Sequence, residues 1–181
     1  FDNKEMPSFF HYPELRERLI VLEGWSKAYS MTGWRIGYAA GPAKIIGAMK
    51  KIQSQSTSNP CSISQAAATA ALDGDQTCVG EMVKAFRERH DWLVAALNKL
   101  PGVDCLNGDG TFYVFPSFQG AIDATDGVST DVEFAEKLLT EAGVALVPGS
   151  AFGCPGHMRL SFATSMDNLQ KAVERLQKAL G

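Results

Sequence analysis

Between Asp75 and Leu100 the positions Val79, Met82, Val83, Phe86, His90, Leu93, Val94 and Leu97 recur at helical spacing, and Pro101-Gly102 ends the run. This long amphipathic helix divides the chain, because the sequence texture differs on its two sides. Ahead of it, the apolar run LIVLEG at 19–24 closes on Gly and suits a fully buried strand. A second apolar stretch, IGYAAG at 36–41, follows the turn-prone pair Thr32-Gly33. Pro42 then opens a helical stretch with Ile45, Met49 and Ile52 on one face. The polar run QSQSTSNP at 53–60 breaks that pattern, and SISQAAATAAL at 62–72 resumes as a small-residue helix able to pack closely.

Beyond Pro101-Gly102 short strands predominate. Val103–Leu106 and TFYVFPSF at 111–118 read as strands around the turn NGDG at 107–110. Thr130 and Glu133 form a capping box for a helix carrying Phe134, Leu138 and Leu139, which Gly143 ends. Strand-like VALVPG at 144–149 and MRLSFA at 158–163 follow. A last helix places Leu169, Ala172, Val173, Leu176 and Leu180 on one face. The pattern predicts two lobes meeting near Leu100: residues 1–100 as the tail of a layered α/β sheet, residues 101–181 as a small α+β lobe.

Composition narrows the function classes. With 17 Lys+Arg against 20 Asp+Glu the formal charge is −3, and no basic strip is present to track phosphates, so a nucleic-acid partner is not expected. No apolar run reaches the length of a membrane helix. The four cysteines and three histidines lack zinc-ligand spacing, so no metal is expected and reduced thiols of a cytoplasmic protein are. Phe1 opens the chain with no basic or apolar leader, whereas the other end reads as a finished helix. The expectation is a C-terminal piece of something longer.

The segment GWSKAYSMTGWRIGY at 24–38 stands apart from ordinary packing sequence. Lys27 directly follows the apolar strand beside Gly, Trp and Tyr, where desolvation would favour its neutral amine. Only a neutral amine attacks a carbonyl, so the setting suits Schiff-base chemistry. Arg35 lies between Trp34 and Ile36, an apolar setting that calls for an anionic partner such as a phosphate. Taken singly, Lys27 is better read as a side chain reaching solvent and Arg35 as one half of a structural ion pair, because such pairs are common.

As a group the segment resembles the cofactor-attachment motif of class I (fold-type I) pyridoxal-phosphate-dependent aminotransferases. Gly24-Trp25-Ser26-Lys27 is followed by Gly33-Trp34-Arg35-Ile36-Gly37, and SKAYSMTGWRIGY is most similar to the bacterial aspartate-aminotransferase-like branch. The resemblance continues through 53–60, GTFYVFP at 110–116, LVPGSAFG at 146–153 and 158–163. The fold it implies is α/β: the C-terminal part of the pyridoxal-phosphate-transferase large domain, with a mixed, mostly parallel sheet, then a small α+β domain.

The resemblance implies that Lys27 holds pyridoxal 5'-phosphate covalently, then carries a proton between the substrate Cα and the cofactor's C4′. It implies that Arg35 clamps the cofactor phosphate and that Arg159 binds the substrate α-carboxylate. Strand alternation puts Arg159 on the face opposite Met158 and Leu160; considered alone, it is as well a surface arginine on an edge strand. Two departures are visible. Gly24 stands where many relatives have a phosphate-binding Ser, and no arginine precedes Ser58-Asn59-Pro60 to favour dicarboxylates.

The activity implied is amino transfer between an amino acid and a 2-oxo acid, in a homodimer. The family's remaining cofactor-binding groups precede its lysine strand, so this chain would be the C-terminal half and inactive or nearly so by itself. Such a piece would expose apolar faces, so the chain is expected either to self-associate through them or to be trimmed from a longer parent. β-Lyases and cyclopropane-forming synthases share the lysine motif, as do ligand-sensing aminotransferase-like domains of transcription regulators.

Overall fold

The computed structural model describes residues 6–181, which divide into two compact units, one running to Glu81 and the other comprising Met82–Gly181. The division falls inside a helix rather than at the Pro101-Gly102 stop where the sequence pattern changes.

In the first unit, 3-10 turns at Phe9–His11 and Pro13–Arg18 lead into strand β1, Val21–Gly24. It pairs antiparallel with β2, Gly37–Ala40, in a register that sets Val21 opposite Ala40 and Gly24 opposite Gly37. Helix α1, Ala43–Ser54, starts where the Pro42 carbonyl accepts from the Ile45 and Ile46 N–H groups. Helix α2, Ser62–Asp73, buries Ser64 and Ala68. Its small residues allow close approach, and Ala68 packs with Trp25 and Met31 in the unit's buried cluster.

Strand β1 is not the fully buried strand expected, since Leu22 is 72% exposed. Among the described residues its sheet has two strands and the cluster gathers around Trp25 instead. Ile45, Met49 and Ile52 on α1 are likewise exposed. Neither sheet among the described residues contains a parallel pair. The connection at 25–36 contains only turns, and a parallel neighbour needs a helix-length crossover.

Helix α3, Thr77–Leu97, carries on into the second unit, where His90, Leu93, Val94 and Leu97 are buried. Gly102 follows its stop with φ +71°, and a Cβ there would collide with the Ala121 backbone, so glycine is required. The strand expected at Val103–Leu106 is reduced to an isolated bridge at Asp104, and the other expected strands are present but short. Strand β3 is Tyr113–Val114, and Pro116 soon removes a ladder donor. After helix α4, Gln119–Asp123, comes helix α5, Asp131–Lys137, with the Thr130/Glu133 capping box formed. A wider π turn at Leu138–Ala142 ends on left-handed Gly143.

Strand β4, Val147–Pro148, and strand β5, Met158–Ser161, complete an antiparallel sheet of order β3-β5-β4. Isolated bridges Asp104–Ser117 and Ser117–His157 extend the pairing. Helix α6, Met166–Leu180, begins at Ser165, whose hydroxyl accepts from Asn168 N–H. Phe118, Phe134, Met158, Phe162, Leu97 and Leu176 make this unit's core. The architecture is α/β.

Candidate active site

The β1–β2 connection is pinned from within. Trp25 is 8% exposed and Met31 equally so, both packed with Ala68 of α2. Between these anchors the chain turns, with Tyr29 N–H donating to the Trp25 carbonyl and Ser30 N–H to the Lys27 carbonyl. The Tyr29 hydroxyl donates to Gln76 Oε1 at 2.8 Å, and Ser64 on α2 donates its hydroxyl proton to the Trp34 carbonyl at 2.7 Å. The Trp25 ring also lies 5.5 Å from that of Tyr38. Its Nε1–H is buried with no hydrogen-bond partner among the described residues.

Lys27 stands on this turn and is exposed. The desolvation expected from its neighbours is therefore not supplied within the unit, because the turn sends Trp25 inward and Lys27 outward. Arg35 follows the Thr32–Trp34 3-10 turn in the left-handed region, φ 51° and ψ 51°. Such dihedrals are uncommon for a residue with a Cβ, and such outliers gather at functional sites. The apolar surroundings expected for Arg35 are absent: it is exposed, and its Nη1 donates to the Thr32 carbonyl at 3.0 Å. Gly37 confines the base of the connection, since a Cβ there would sit 2.9 Å from the Glu23 carbonyl oxygen.

Lys27 and Arg35 thus share one connection held by α2. Their donor set, a primary amine and a guanidinium exposed on one pinned loop, fits a ligand with a carbonyl and a phosphate. Pyridoxal 5'-phosphate is such a ligand.

Arg159 belongs to the other unit. It lies on the central strand of its sheet, not an edge strand, with Met158 and Leu160 buried on the opposite face. Its guanidinium carbon lies over the Tyr113 ring at 4.5 Å from the centroid and over the Phe152 ring at 4.8 Å. Phe152 meets Phe115 edge to face at 6.0 Å, and Phe115 stacks on His157 at 5.2 Å. Sequence reasoning assigned no role to Tyr113 or Phe152. Period-two alternation in TFYVFP carried the signal for Tyr113, whereas Phe152 reaches Arg159 only through the fold.

The family model for aminotransferase class I and II matches residues 4–176. The chain belongs to this family. Similar aminotransferases include the aspartate/prephenate aminotransferase of Nitrosomonas europaea, 57% identical over 173 residues, covering 93% of this chain and 44% of the relative. The aspartate aminotransferase of Geobacillus stearothermophilus is 51% identical, covering 92% and 42%. Among solved structures, the Rhizobium meliloti aspartate aminotransferase matches with a TM-score of 0.88 at 45% identity, covering 93% of this chain and 43% of that one. The aromatic aminotransferase of Pyrococcus horikoshii matches with a TM-score of 0.91 at 35% identity, covering 99% and 48%. This aminotransferase-family chain therefore spans less than half the length of the curated relatives it matches.

Proposed function

We propose that the chain is the C-terminal half of a pyridoxal-phosphate-dependent aminotransferase that moves an amino group from an amino acid to a 2-oxo acid. Residues 1–100 would be the end of the cofactor-binding domain and 101–181 the small domain. The carrying observation is that a chain of this family presents Lys27 and Arg35 together on one pinned connection. The names of similar proteins favour aspartate as donor and add prephenate as an acceptor to test.

The cofactor, when bound, supplies an electron-withdrawing ring that stabilises negative charge at the substrate Cα. Lys27 would hold it through Nζ, and its amine would be the base that carries the proton at the substrate Cα. Arg35 holds the phosphate by charge-assisted hydrogen bonds. Arg159 would receive the substrate α-carboxylate through its forked donors. The working enzyme is read as a cytoplasmic homodimer, and this chain by itself as inactive or nearly so.

The test is to titrate the chain with pyridoxal phosphate, reduce with borohydride and map the labelled peptide. A single label on Lys27, lost in K27A and weakened in R35A, supports the reading. Label scattered over surface lysines counts against cofactor binding by this chain. An aspartate and 2-oxo-acid assay gives the second arm: robust turnover by the chain alone would sink the inactivity reading.

A further inference from the structure

Asp131 is only 4% exposed, yet helix α5 does not need its carboxylate as a cap. The Thr130 hydroxyl already accepts the Glu133 N–H, and the Glu133 carboxylate accepts the Ser129 and Thr130 N–H groups. Asp131 Oδ2 instead accepts the Ser150 N–H at 2.6 Å. Burying a carboxylate is costly, so this bond must offset a penalty that an apolar residue would avoid.

What the bond fixes is the 3-10 turn Gly149–Phe152. Ser150 is a member of that turn, and its carbonyl accepts from Gly153 N–H at 3.1 Å. Phe152 leaves the same turn with its ring against the Arg159 guanidinium. A line of contact therefore runs from Asp131 to Ser150, to Phe152 and to Arg159. Ring contacts restrain the guanidinium, and hydrogen-bonding a carboxylate with both forks requires its plane to be held.

We propose that Asp131 is a positioning residue for Arg159, acting through the Ser150–Phe152 turn; this rests on the reading of Arg159 as the α-carboxylate ligand. The test has two readouts. In the 15N-labelled chain, the Arg159 Nε–H resonance carries the ring-current shift of its aromatic neighbours. D131A should move it toward the value of an exposed arginine, while D131N, which retains an oxygen acceptor, should leave it near wild type. In the holoenzyme, D131A should raise KM for both the amino acid and the 2-oxo acid about tenfold with kcat changed far less. D131N should restore most of that loss.

F152L should reproduce the D131A effects, and the double variant should be no worse than either single one. An unmoved Arg159 resonance in folded D131A overturns the proposal. A moved resonance with unchanged KM overturns instead the assignment of Arg159 to the carboxylate, as does unchanged KM in R159K. Should D131A fail to fold, F152L decides, and an unmoved resonance there overturns the relay.

Discussion

The Arg159 guanidinium carbon stands 4.5 Å from the centre of the Tyr113 ring, across the β3–β5 ladder. Tyr113 is opposite Ser161 in register, so Arg159 is its diagonal neighbour, within reach of an aromatic side chain. A partly exposed cation–π contact contributes about 1 kcal/mol. Under the proposed function, Y113L should raise KM for the amino acid about fivefold, and Y113F should be near neutral because the ring face is kept. Equal losses in both variants would assign the effect to the hydroxyl instead.

The thiols should separate by reactivity. Cys61 stands at the N-cap position of helix α2, where the nearby Ser64 and then Ile63 backbone N–H groups hold its thiol below the ordinary range. Burial, and secondarily Asp104, push Cys105 up to about 11. At about pH 8 Cys61 therefore has the larger thiolate fraction and Cys105 almost none. Iodoacetamide with peptide mapping should label Cys61 early and Cys105 only on unfolding. Comparable rates for the two in the folded chain would contradict the assignment.

Helix α5 should depend on its cap. T130A removes the acceptor of the Glu133 N–H and should cost about 1 kcal/mol in urea unfolding. Hydrogen bonds from Ser129, backbone then hydroxyl, and from Thr130 hold the Glu133 carboxyl below its ordinary value. Its folded pKa is thus the lower one, so its stabilisation is present above the unfolded-state pKa and disappears as pH falls through the folded one. E133Q should flatten the acid limb of the stability–pH curve; an unchanged limb would remove Glu133 from it.

His90 ties helix α3 to the 107–110 turn. Its Nε2 accepts the Gly108 N–H at 3.0 Å while Nδ1 faces Asp91 Oδ1 at the same distance. The ring meets Phe162 edge to face at 5.8 Å. H90A opens a cavity and orphans a backbone donor, so it should destabilise by about 3 kcal/mol or more. H90F fills the space and should cost less. The His90 hydrogen bond is the foremost cause holding the Asp91 carboxyl below its usual range, so H90F should raise the Asp91 pKa, measurable by NMR titration.

Local features were legible in the sequence because their causes are local. The Thr130/Glu133 box formed as spaced, Gly143 stopped its helix in the left-handed conformation, and α3 buried His90, Leu93, Val94 and Leu97 of its periodic face, while Val83 on the same face stays exposed. Alternation also put Arg159 opposite Met158 and Leu160. Strand burial was not legible: an apolar run records what a strand could bury, and among the described residues β1 pairs with β2 and leaves Leu22 exposed.

The motif between Gly24 and Gly37 identified the family and placed Lys27 and Arg35 on one connection, since those residue types at that spacing are contiguous in the chain. Their exposure was a tertiary matter, decided when Trp25 and Met31 turned inward against Ala68. The setting of Arg159 was tertiary as well. Tyr113 and Phe152 come from separate stretches of chain, and only the order β3-β5-β4 and the turn that carries Phe152 bring both rings against one guanidinium. Sequence periodicity specifies which face a residue occupies, but partners across a sheet or turn are fixed by chain closure and packing, which no local spacing encodes.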